Sequence, residues 1–95
     1  MPAECLLRER IVLTETMFVA VTVWRVPRRV PGSSHDFKYS LALVCDGVCV
    51  LRYDNEAGKG DHRHLGSREM PYRFTDLTVL QADFWHDVAA WRSGR

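Results

Sequence analysis

The side chains best suited to chemistry stand in one stretch, Tyr53-Asp54-Asn55-Glu56-Ala57-Gly58-Lys59-Gly60-Asp61-His62-Arg63-His64. His62 and His64 are two residues apart. In an extended segment that spacing puts both imidazoles on one face and Arg63 on the other. Imidazole titrates near neutral pH, so it serves there as base or as acid. A pair of them beside Lys59 and Arg63 suits cleavage of RNA without a metal. One imidazole takes the proton of the 2′-hydroxyl, the other protonates the leaving 5′-oxygen, and a cation stabilises the charged phosphorane. Asp61 is placed in sequence to orient an imidazole and fix its tautomer. The candidate catalytic residues are therefore His62, His64, Lys59, Asp61 and Arg63. Lys38, Tyr53, Asp54 and Tyr72 are the candidate substrate contacts.

Two other readings of the same stretch stay open. His62 and His64 with Asp61 or Asp54 supply part of a transition-metal ligand set. No further His or Cys at matching spacing completes it, so no metal ligand and no cofactor is assigned. The plainer alternative is a Gly-flanked polar hairpin tip with a solvated charge cluster. Gly58-Lys59 is not a phosphate-binding Walker loop, because Tyr53 stands where its first glycine belongs and Gly60 where its Ser/Thr belongs. Outside the stretch, His35 reads as a solvated loop residue and His86 as a helix residue beside the apolar stripe. Trp24 and Trp91 read as core. Trp85 flanks the stripe and is the best candidate for an exposed aromatic.

The surrounding pattern must position these groups. Residues 5–13 and 17–26 read as strands, the second dense in β-branched and aromatic residues. Pro27 and Pro31 bracket a loop. Strands are expected at 36–44 and 48–55. Their apolar faces are Phe37, Tyr39, Leu41 and Leu43 on one and Cys49, Leu51 and Tyr53 on the other. A one-residue slip reverses every side chain. A three-residue loop, Cys45-Asp46-Gly47, pairs Leu41 with Leu51 and Tyr39 with Tyr53, whereas a two-residue turn pairs Leu41 with Arg52. The three-residue loop is therefore expected, with Gly47 left-handed. A short edge strand falls within 61–74. A helix over 76–92 follows, with Thr75 as N-cap and Phe74 stapled to Val79. Leu77, Leu80, Phe84, Val88 and Trp91 form its apolar stripe. The expected fold is α+β, an antiparallel four- to five-stranded meander with one C-terminal helix packed across the sheet.

Composition bounds the function. Ninety-five residues are one domain's worth of chain, read as a single domain over 1–95. The 46% hydrophobic and 26% charged fractions exclude disorder. A net charge of +1 excludes a strongly basic arm, so any nucleic-acid contact must come from a local patch. Three cysteines without CxxC spacing read as reduced thiols in a cytoplasmic protein. The N-terminus carries Glu4, Arg8, Glu9 and Arg10 without a long apolar run, so no signal peptide is expected. No apolar run suits a membrane span.

The strings His35-Asp36-Phe37-Lys38-Tyr39-Ser40-Leu41, Arg52 through His64, and Pro71-Tyr72-Arg73-Phe74 together resemble the TumE-type toxin family, small bacterial and archaeal proteins. The resemblance runs from about Leu6 to Trp91. Lys38, Tyr39, Tyr53, Asp54, Asn55, Glu56, Gly58, Lys59, Gly60, Asp61, His62, Arg63, His64 and Tyr72 match it. It implies a toxin of a type II toxin–antitoxin pair, whose partner is a cognate antitoxin encoded by an adjacent gene. It carries no established catalytic residue. The reading that combines residues and resemblance is a toxin that cleaves RNA without metal. The alternative is a non-enzymatic module that inhibits its target through the same polar cluster. A small structural or regulatory partner protein is a third possibility.

Overall fold

The computed structural model describes residues 2–94. Six strands form one sheet: β1 (Glu4–Thr14), β2 (Met17–Arg25), β3 (Phe37–Cys45), β4 (Val48–Glu56), β5 (Gly60–Leu65) and β6 (Arg68–Pro71). They lie in sequence order, each antiparallel to the next. The helix α1 (Leu77–Ser93) follows. This is the expected α+β meander with its C-terminal helix, with six strands in place of four or five. The extra strand comes from 61–74, where Gly66-Ser67 folds β6 back onto β5.

The hairpin between β3 and β4 corrects the expected register. Cys45 pairs with Val48 across a two-residue turn in which Asp46 has φ 52° and Gly47 φ 76°. Two left-handed residues are the signature of a type I′ turn, whose twist matches that of the strands. Val44 pairs with Cys49, yet Leu43 pairs with Leu51, so Val50 is the extra residue of a β-bulge. Leu41 therefore faces Tyr53 rather than Leu51, and Tyr39 lies two residues beyond that pair, past Ser40–Asp54. The bulge restores the parity that the short turn breaks. Leu41, Leu43, Leu51 and Tyr53 still share one buried face. Cys49, expected on it, pairs with Val44 on the other face and is exposed.

The core lies between that face and the helix. Met17, Val19, Val21 and Val23 of β2, Tyr39, Leu41, Leu43 and Cys45 of β3, and Leu51 and Tyr53 of β4 are buried beneath Leu80, Phe84 and Val88. Trp85 is partly buried, edge-on to Phe84. The helix starts one residue later than expected. Asp76, not Thr75, is the N-cap, and its carboxylate accepts the Val79 N–H at 2.8 Å. Val79, expected to staple to Phe74, is 39% exposed. Phe74 packs on the His35 ring instead, 3.8 Å between centroids.

A close backbone approach helps to fix the 26–36 connection, together with the Gly58 N–H donated to the Pro31 carbonyl at 2.7 Å. A Cβ on Gly32 would lie 2.6 Å from the Gly60 nitrogen, and one on Gly60 would lie 2.7 Å from the Gly32 oxygen. Both glycines have positive φ. Only two glycines permit this approach. It brings Ser33 and His35 over the start of β5, at Asp61.

Candidate functional site

Alternation along β4 and β5 splits the polar stretch between the two faces of the sheet. Asp54 pairs with His62 and Arg52 with His64, on the face away from α1. Tyr53 pairs with Arg63 and Asn55 with Asp61, on the face that α1 covers. The candidate residues therefore form two groups, back to back.

The open face holds His62 and His64, their ring centroids 6.3 Å apart. His62 Nδ1 lies 3.0 Å from the Gly60 carbonyl. A carbonyl only accepts, so Nδ1 carries the proton and the neutral ring presents a lone pair at Nε2. That Nε2 is 3.5 Å from Glu69. His64 Nε2 is 3.5 Å from Asp54 Oδ1, and Asp54 Oδ2 is 3.2 Å from Arg52 Nε. Asp54 is buried, yet its Oδ1 and Arg52 Nε complete no hydrogen bond. Both atoms keep an ion-pair neighbour at 3.2–3.5 Å without hydrogen-bond geometry, and among the described residues these two side-chain atoms alone are buried without a hydrogen bond. A depression of about 120 Å³ opens beside them, lined by Cys49, Val50, Leu51, Arg52, His64 and Gly66. Lys59, in the turn before β5, is 3.9 Å from Glu69 and 4.0 Å from Glu56. Lys38 donates to the Asn55 carbonyl. Among the described residues no three His, Cys, Asp or Glu side chains gather as a metal-holding group.

The covered face holds the rest. Asp61 accepts from Tyr39 Oη at 2.6 Å, His35 Nε2 at 2.7 Å and Ser33 Oγ at 2.8 Å. His35 Nδ1 accepts the Phe37 N–H, so the ring proton is on Nε2 and points at Asp61. The imidazole that Asp61 orients is thus His35, which is buried rather than solvated. Burial first, then the bond to Asp61, pushes the Tyr39 phenol far above its usual range. Arg63 reaches Asp87 at 3.2 Å, and Tyr53 donates to the same carboxylate oxygen at 2.5 Å. Burial and that bond push the Tyr53 hydroxyl up to about 12. The neighbouring Tyr53 oxygen, more than Asp87, keeps the Arg63 guanidinium charged. Tyr72 donates to Asp83 at 2.6 Å, and burial followed by this bond raises its pKa. These contacts clamp α1 to β4, β5 and the segment after β6.

Asp61, Arg63, Tyr53 and Tyr72 are therefore not beside the histidine pair. Arg52 is beside it and was not among the expected residues. Its parity with Asp54 was the available signal. Asn55 was also missed as a structural centre. It is fully buried, accepts the Tyr39 N–H, and donates to the Phe37 carbonyl and Ser33 Oγ.

Among the described residues no helix is long and apolar enough to cross a membrane. No curated protein and no solved structure matches the chain significantly. One family model, described as toxin TumE, matches residues 2–92.

Proposed function

The chain belongs to the TumE toxin family, and from that membership we propose that it acts in a toxin–antitoxin pair by cleaving RNA, without a metal, at the His62–His64 face. The observation that carries this reading is the coincidence of two imidazoles with the buried, unsatisfied Asp54 Oδ1 and Arg52 Nε on one open face. His62 Nε2 takes the proton of a 2′-hydroxyl. That oxygen attacks the adjacent phosphorus, and the bond to the 5′-oxygen breaks as His64 protonates it. The products are a 2′,3′-cyclic phosphate and a 5′-hydroxyl. Asp54 Oδ1, 3.5 Å from His64 Nε2, holds that ring in place. Arg52 supplies positive charge to the non-bridging oxygens, and Lys59 and Lys38 extend it. Asp61, Arg63, Tyr53 and Tyr72 maintain the scaffold. Membership in a toxin family implies an antitoxin partner, and the gene beside this one is the place to look for it.

The test measures RNA cleavage and growth arrest for the wild type, His62→Ala and His64→Ala, with each variant checked for folding by circular dichroism. Loss of either imidazole lowers the cleavage rate by about 10²–10⁴-fold. EDTA leaves the wild-type rate unchanged. Arrest without RNA loss would replace cleavage with non-enzymatic inhibition through the same face. Full toxicity in both folded variants would reduce the cluster to a polar hairpin surface.

A further inference from the structure

We infer that the open face of the sheet is a track for single-stranded RNA, running across the strands from the His62–His64 pair on β5 to Arg8 and Arg10 on β1. The inference rests on RNA being the substrate of the histidine pair. The register gives two continuous cross-strand rows. One is Arg8–Thr22–Ser40–Asp54–His62. The other is Arg10–Ala20–Ala42–Arg52–His64. Cross-strand partners share a face, so both rows lie on the side away from α1.

The rows have a shape and a charge. Their middle is Thr22, Ser40, Ala20 and Ala42, all short side chains. Larger residues rise on either flank, Trp24 paired with Lys38 and Phe18 paired with Val44. The result is a shallow trough with a small-residue floor. At a strand spacing of about 4.8 Å, β1 to β5 spans roughly 19 Å, a path of a few nucleotides. Cations mark the path: Arg8 and Arg10 at one end, Lys38 on the flank and Arg52 at the other end. Asp54 is the one acid in the two rows from β1 to β5, and it lies beside Arg52. The Arg10 guanidinium covers the Phe18 ring at 4.0 Å. A row of cations that tracks the phosphates is the electrostatic part of non-specific single-strand binding. A protein partner would favour an apolar anchor pocket at the centre, where this trough has Thr, Ser and Ala. The proposal thus separates recognition from chemistry. One phosphate reacts between the imidazoles, and the strand beyond it is held at Arg8 and Arg10.

The experiment is fluorescence anisotropy of a labelled ten-nucleotide 2′-O-methyl RNA, which lacks the attacking hydroxyl, titrated with full-length protein over a range of salt. Four phosphate contacts give a slope of log affinity against log salt of about −2.8, and Arg8→Ala/Arg10→Ala brings it to about −1.4. Arg8→Lys/Arg10→Lys restores most of the slope. In parallel, the Ala pair raises KM for a ten-nucleotide cleavable RNA and leaves dinucleotide cleavage unchanged, because a dinucleotide does not reach β1. An unchanged slope in the folded Ala pair, with wild-type cleavage intact, overturns the track and spares the cleavage reading. The expected slopes without any wild-type cleavage sustain the track and overturn the chemistry. Unchanged RNA binding with loss of the co-purified antitoxin assigns the face to a protein partner and overturns the track.

Discussion

Asp61 and His62 are neighbours in sequence with opposite expected phenotypes. Asp61→Ala removes the acceptor for three groups: Tyr39 Oη, His35 Nε2 and Ser33 Oγ. Tyr39 is 1% exposed and His35 9%, so water replaces the carboxylate poorly. Each buried donor left unmet costs about 1–3 kcal/mol. Part is regained as hydroxyls rotate, which leaves a loss on the order of 3–5 kcal/mol. A chain of this size is stable by about 5–14 kcal/mol in all. With a urea slope near 1.5 kcal/mol/M, the midpoint falls by about 2–3 M. Urea titration of Asp61→Ala beside His62→Ala makes the comparison. His62→Ala leaves one backbone carbonyl, that of Gly60, without its side-chain donor, so it costs less than Asp61→Ala although the His62 side chain is only 14% exposed. An Asp61→Ala protein that unfolds with the wild type and loses only activity would refute the division of the stretch between two faces.

Alkaline titration reads the buried phenols. The native state holds the Tyr39, Tyr53 and Tyr72 protons above the ordinary pH of about 10, while the unfolded chain releases them there. Stability is therefore full below pH 10 and falls as pH rises toward 12, by about 1.4 kcal/mol per pH unit for each fully withheld tyrosine. Tyrosinate absorbance appears together with loss of circular dichroism rather than ahead of it. Phe84→Ala costs about 3–5 kcal/mol, read as a lowered Tm, because Phe84 is fully buried over the sheet. Gly47→Ala costs about 1 kcal/mol by chemical denaturation. An added Cβ meets nothing within 4 Å, so the cost is that of the positive φ alone.

The face of β3 was legible because Phe37, Tyr39, Leu41 and Leu43 alternate with smaller or polar residues, and that of α1 because Leu80, Phe84 and Val88 repeat at helical spacing, whereas β2 is largely apolar on both faces. The exact pairing was not legible. Parity weighed loop lengths alone, and the bulge at Val50 lets a shorter turn reach the same burial. The N-cap was ambiguous because Thr75 and Asp76 are both good caps, and packing of Phe74 on His35 decided between them. The histidine pair was visible through its spacing. The partners of Asp61 were not, since the 26–36 connection that supplies Ser33 and His35 is placed by the meeting of Gly32 and Gly60. Such long-range contacts leave no local pattern. Arg52 was overlooked although the same alternation that joins His62 to His64 joins it to Asp54.

The division of one contiguous stretch between two faces has a consequence for inheritance. Asp61 and Arg63 answer to folding, His62 and His64 to whatever happens on the open face. A gene copy released from selection for toxicity, yet still required to make a folded partner for its antitoxin, would drift at alternate positions. Its descendants would keep the aspartate and the arginine and lose the imidazoles between them. Loss of activity would then be written along β5 with a period of two.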